Sequence, residues 1–160
     1  MNSILKSLVL VVGLMLLSFQ THENHLHWQQ WNDGFPKAKA ENKIALIDTY
    51  TAWCGWCKKM DKDTYEDPEI VSKINEHFIP IKFNPELPGT YNIGDTAVSG
   101  RALLSALSQG GKSSGYPTTF FYLPKQNRMY QYPGYMDAEK FGNLLDLLVQ
   151  AHTAEAEEAN

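Results

Sequence analysis

Apolar positions along this chain follow two rhythms. Residues 43–50, KIALIDTY, are almost continuously apolar, the pattern of a strand buried on both faces, and a single acid, Asp48, stands inside the run. FIPIKF, residues 78–83, is a second such run; Pro80 suggests that it begins there or leaves one side unpaired, and Lys82 is its one charge. YPTTFFYL and RMYQYPGY are strand-like stretches separated by the turn PKQN, a hairpin by pattern. Between the strands the spacing becomes helical. A short helix is expected from Phe35 to about Glu41, capped by Asn32 or Asp33. A second runs from about Gly55 to Thr64 with Met60 inward and Lys58, Lys59, Asp61, Lys62 and Asp63 mostly solvated. A third follows Asp67 as cap and Pro68 at its first position, with Ile70, Val71 and Ile74 as its apolar stripe. A fourth lies near Arg101 to Ser108, and a closing helix over 138–151 carries Phe141, Leu144, Leu145 and Leu148 on one side. Residues 84–99, rich in Pro, Gly and Asn, read as a long irregular loop, QGGKSSG as a break, and HTAEAEEAN as a frayed acidic end. This order of elements implies an α/β sandwich, a mixed sheet covered by helices.

At 160 residues, with 43% hydrophobic and 12% aromatic content, the chain suits one compact domain. Its formal charge is −4, and −5 without residues 1–20, where Lys6 is the one charged side chain. No basic stripe suited to phosphates remains, so nucleic acid is not expected as a partner. The apolar run Leu8–Leu17 behind Lys6 is about half the ~20 residues that a membrane-crossing helix needs. It reads as a secretory signal peptide, residues 1–20, of a periplasmic or extracellular protein. Gln20 is a poor residue to precede a cleavage site, which keeps an uncleaved membrane anchor as the alternative. The remaining organisation is a lead-in over 21–34, a domain over 35–151 and an acidic tail over 152–160.

Both cysteines fall in TAWCGWCKKM, at Cys54 and Cys57. A bridge between them would close a ring of four residues, worth only about 2 kcal/mol by chain entropy, a weak staple. Haem attachment calls for histidine where Lys58 stands. Zinc would need further ligands; His22, His25 and His27 could supply nitrogen but lie in the lead-in, where they read as ordinary surface histidines. A redox couple fits the local physics best. Cys54 would open a helix, facing unpaired N–H groups and the positive end of the dipole, which favours its thiolate, and Cys57 would follow one turn later as the resolving thiol.

LIDTYTAWCGWCKKM, IPIKFN, GYPTTFFY and YPGYMDAEKF fall in the order seen in the thioredoxin superfamily, and over roughly residues 40–150 the chain resembles its secreted thioredoxin-like members. The resemblance implies a thioredoxin-like α/β fold, a central mixed β-sheet flanked by helices. It makes Asp48, six residues before Cys54, the proton acceptor for Cys57; an acid in an apolar strand should have a raised pKa, which suits that task near neutrality. Lys82 matches a lysine that tunes this acid. Pro117 matches a cis-proline across from the cysteines, beside which the backbone of Tyr116 can pair with an extended substrate. Trp53 matches a tryptophan before the first cysteine, whereas Trp56 replaces the proline of thioredoxin itself, a departure that bears on redox poise. No helix-kinking proline follows Cys57.

The resulting expectation is a monomeric disulfide reductase acting on protein disulfide or thiol substrates. It would need no metal or cofactor beyond the redox-active Cys54–Cys57 disulfide, and would exchange electrons with a membrane or extracytoplasmic thiol partner. The alternatives are a disulfide oxidase or isomerase, a metallochaperone, and a non-catalytic binding module that uses the 84–99 segment.

Overall fold

The computed structural model describes residues 25–111 and 115–158, with the side chains of 155–158 left aside. The expected signal peptide, His22, part of the QGGKSSG break and the last two residues lie outside that range. No helix among the described residues is long and apolar enough to cross a membrane.

Residues Ile44–Thr49 form β1, Phe78–Phe83 β2, Thr118–Leu123 β5 and Arg128–Pro133 β6, in one sheet of order β2-β1-β5-β6. β1 is parallel to β2 and antiparallel to β5, and β5 is antiparallel to β6. β1 is buried at every position because both of its faces are covered. Ile44 and Leu46 join Met60, Ile70, Val71, Ile74, Phe121, Phe141 and Leu145 on one face, and Ala45 and Ile47 join Trp31, Ile81, Phe83, Leu103 and Phe120 on the other. The first layer is roofed by α2 (Gly55–Asp63), α3 (Pro68–His77) and α5 (Ala138–Glu158), the second by α1 (Trp31–Glu41) and α4 (Gly100–Leu107). β2 begins at Phe78 and lies at the sheet edge, where Pro80, lacking an N–H, is tolerated.

Three expectations are corrected in detail. α1 starts at Trp31, four residues before Phe35, with Gln30 as its cap, because Trp31 is buried and its ring stacks on Phe35 at 4.3 Å. Gly34 lets this helix touch the sheet, since a Cβ there would sit 2.6 Å from Ile81 Cγ1. Residues 84–99 are not wholly irregular: β3 (Tyr91–Ile93) and β4 (Thr96–Val98) make a hairpin, pinned to α1 where Trp31 Nε1 donates to the Asn92 carbonyl at 2.8 Å. The closing helix continues through the acidic stretch to Glu158 instead of fraying at 151. The lead-in also has a place: Gln29 bridges to Ile81 in parallel, extending the β2 edge.

Candidate active site

β1 delivers the chain to the cysteines. After Thr49 the Tyr50 N–H bonds to the Phe83 carbonyl at 3.0 Å, and a turn in which Cys54 N–H donates to the Thr51 carbonyl leads into α2. Cys54 is the N-cap of α2, in extended backbone, and its Sγ accepts the Cys57 N–H at 3.1 Å. A cap atom at that position takes up one of the N–H groups that a helix start leaves unpaired. Cys54 and Cys57 form a disulfide with S–S 2.00 Å, and both are buried, at 4% and 2% exposure.

Trp53 and Trp56 flank the disulfide and are 67% and 59% exposed, a large apolar surface left beside a buried reactive bond. They diverge. Trp53 meets the Tyr116 ring edge-on at 5.9 Å and its indole N–H donates to Glu86 Oε2 at 3.0 Å. Trp56 leans on the Tyr135 ring at 5.4 Å, and the Tyr135 hydroxyl donates to Asp63 Oδ2 at 3.4 Å while Lys59 lies over its ring. The Tyr116–Pro117 peptide bond is cis, and Tyr116, through its contact with Trp53, stands at the same edge of the site.

Asp48 and Lys82 are directly opposite one another on β1 and β2, and Lys82 Nζ donates to Asp48 Oδ2 at 2.5 Å. The lysine side chain is only 16% exposed. It also bonds to Asp61, and its ammonium lies 4.6, 5.1 and 5.2 Å from the ring centres of Trp28, Tyr50 and Tyr65. Burial raises the Asp48 pKa above its ordinary value of 3.8, against the opposing pull of Lys82. Burial acts downward on Lys82, but Asp48 and then Asp61 outweigh it and leave the lysine above its ordinary value. The acid is fully enclosed, while the lysine borders a cavity of about 360 Å³ with Trp28, Asp61 and Tyr65.

Trp28, Asp61, Tyr65 and Glu86 were not legible as site residues. Asp61 was placed among solvated charges of α2, and Tyr65 and Trp28 carry no motif; only the four-residue step from Cys57 to Asp61, one helical turn, hinted that this acid shares a face with the thiol. No group of three or more His, Cys, Asp or Glu able to hold a metal ion occurs among the described residues.

Similarity to known proteins agrees with this geometry. A family model described as Thioredox_DsbH, protein of unknown function, DUF255, matches residues 15–159. Spermatogenesis-associated protein 20 of Rattus norvegicus is 29% identical over 107 residues, 66% of this chain and 12% of that protein. The thiol:disulfide interchange protein DsbD of Haemophilus influenzae is 26% identical over 114 residues, 70% of this chain and 17% of that one. The chain thus spans under a fifth of the length of these relatives. A thioredoxin from Thermus thermophilus superimposes with a TM-score of 0.60 at 17% identity, covering 77% of this chain and 86% of that chain. A structure titled DsbH Oxidoreductase gives 0.57 at 15% identity, covering 84% and 89%. Both structural likenesses speak to the fold, and the family model, which spans most of the sequence, speaks to descent: this chain belongs to the thioredoxin-like DsbH family.

Proposed function

We propose that this chain is an exported thiol–disulfide oxidoreductase that reduces protein disulfides through Cys54 and Cys57. The observation that carries the reading is Cys54 Sγ at the cap of α2, accepting the Cys57 N–H. In the dithiol form a thiolate there meets the helix N–H groups and the positive end of the dipole, so Cys54 is the sulfur that ionises and attacks. A Cys54–substrate disulfide forms as the substrate bond breaks, and the departing substrate sulfur takes up a proton. Cys57 then gives its proton to Asp48 and attacks Cys54 Sγ. The Cys54–Cys57 bond forms, the second substrate sulfur leaves, and two electrons have passed from the protein dithiol to the substrate.

Lys82 holds Asp48 in place, Trp53 and Trp56 offer apolar surface to the substrate, and the Tyr116 backbone beside Pro117 pairs with an extended substrate strand. A membrane or extracytoplasmic dithiol partner returns the two electrons. The apolar run Leu8–Leu17 behind Lys6 supports export, and the likeness to a relative named for thiol:disulfide interchange supports the chemistry. Reduction is the direction assigned because the resemblance is to thioredoxin-like proteins without a large helical insertion. The protein works as a monomer, with no metal or other cofactor.

The test is Cys57→Ser in the full chain, expressed with its native extracytoplasmic environment. Without the resolving thiol, Cys54 should retain substrates as mixed disulfides that dithiothreitol releases and that vanish when Cys54 is replaced as well. A variant that collects no such adducts, together with a wild-type protein that leaves insulin disulfides unreduced in the presence of a dithiol, overturns the reading.

A further inference from the structure

Asp48 belongs to a polar row that runs across an otherwise apolar sheet face. Lys82 on β2 and Thr119 on β5 are its direct partners in register, and Tyr132 on β6 stands opposite Thr119. Residues directly opposite in a sheet share a face, and this is the face that buries Ile44, Leu46 and Phe121 under α2, α3 and α5. Tyr65, in the connection between α2 and α3, lies over the row. It is buried, edge-on to Trp28 and Phe141, and its hydroxyl is 3.4 Å from Thr119 Oγ1, with either oxygen able to donate. That separation is long beside the ~2.7–2.8 Å usual between two hydroxyl-type oxygens, so the phenol is loosely held. Asp48 has one oxygen bound to Lys82, while Oδ1 is sealed from solvent and accepts no hydrogen bond among the described residues. A buried carboxylate oxygen left unmet is costly, and the loosely held hydroxyl lies against Thr119, the residue directly opposite Asp48 on β5.

We propose that Tyr65 is a positioning residue for Asp48: its hydroxyl rests against Thr119 while Asp48 carries a proton, and shifts from Thr119 toward Asp48 to donate to the carboxylate when Asp48 ionises. The Tyr65–Thr119 pair thereby sets the pH at which the acid gives up its proton. This rests on the proton-accepting role assigned to Asp48 above. The other groups facing the acid are accounted for. Lys82 comes from β2 and Asp61 from α2, while Trp28 of the lead-in and Phe141 of α5 close the layer with apolar rings. Against the upward push of burial, Lys82 and then the Tyr65 hydroxyl draw the Asp48 pKa down, while Asp61 raises it. Lys82 already occupies Oδ2, so Tyr65 is the donor with freedom to follow the proton.

The test compares Tyr65→Phe and Thr119→Val in the full chain, each replacing a hydroxyl with little change of shape. The Asp48 carboxyl is followed by carbon NMR, its resonance identified by its loss in Asp48→Asn, and the pH profile of insulin reduction is measured beside it. Tyr65→Phe should raise the Asp48 titration by roughly one pH unit, the scale of one hydrogen bond to a charged group. Thr119→Val should move it the other way, because the phenol then has the carboxylate as its only partner. An unmoved titration in Tyr65→Phe, or a shift of both variants in one direction, overturns the exchange of partners. If the carboxyl shifts in opposite senses as expected but the reduction profile stays in place, the role of Asp48 in proton transfer fails while the Tyr65 contact stands.

Discussion

Lys82 holds two acids at once, and only one of them is enclosed. Asp48 is 1% exposed, and burial raises its pKa despite the lysine beside it. The consequence for stability has a definite sign. Below its ordinary value of 3.8, Asp48 is neutral in both folded and unfolded chains. As pH climbs from there through the raised folded value, the unfolded chain ionises first and the fold loses stability. Asp48→Asn cannot ionise, so it should gain on the wild type across that window. Thermal unfolding at about pH 3 and about pH 8 checks this: the variant's advantage should be present at the higher pH and shrink at the lower. Asp48 and Lys82 could be picked out from the sequence because a charge inside an apolar strand is anomalous. Asp61, Tyr65 and Trp28 could not, because each is ordinary among its chain neighbours and becomes part of the site only by packing against Lys82.

At the scale of elements, the helix starts carry the clearest local signals. Asp67 caps α3, accepting the Glu69 N–H at 2.9 Å and the Ile70 N–H at 3.2 Å, with Pro68 at the first helical position. Asp67→Ala should lower stability by about 1 kcal/mol in urea unfolding and leave the rate of insulin reduction unchanged, because the Asp67 side chain serves the first N–H groups of α3. The α3 boundary was readable because both cap and proline act within one turn of chain. The β3–β4 hairpin was not, since strands of three residues are too short to show a period of two and hold their place through Trp31 and Asn32 on α1. The acidic end misled in the opposite way. Its charge suggested fraying, yet AHTAEAEE is built largely of good helix formers and follows a helix already nucleated by Phe141, Leu145 and Leu148 on the core.

Across the whole molecule, the two-sided core makes the sheet the common wall of both layers, and Phe121 shows what depends on it. Its ring is fully buried among Phe78, Tyr132 and Phe141, side chains drawn from β2, β6 and α5. Phe121→Ala should cost about 3–5 kcal/mol in urea unfolding, a large part of the ~5–15 kcal/mol that holds an ordinary domain together. The sequence alone determined the four strands of the main sheet, the helix faces, the capped cysteine and the anomalous acid, because strand period, helix period and cap chemistry act between residues close along the chain. Tertiary structure alone decided that Lys82 serves both Asp48 and Asp61, that Trp28 covers the lysine, and that Tyr65 meets Thr119 above the acid. Those partners lie up to 54 residues apart, and no periodicity records which distant side chains a folded sheet will bring into one row.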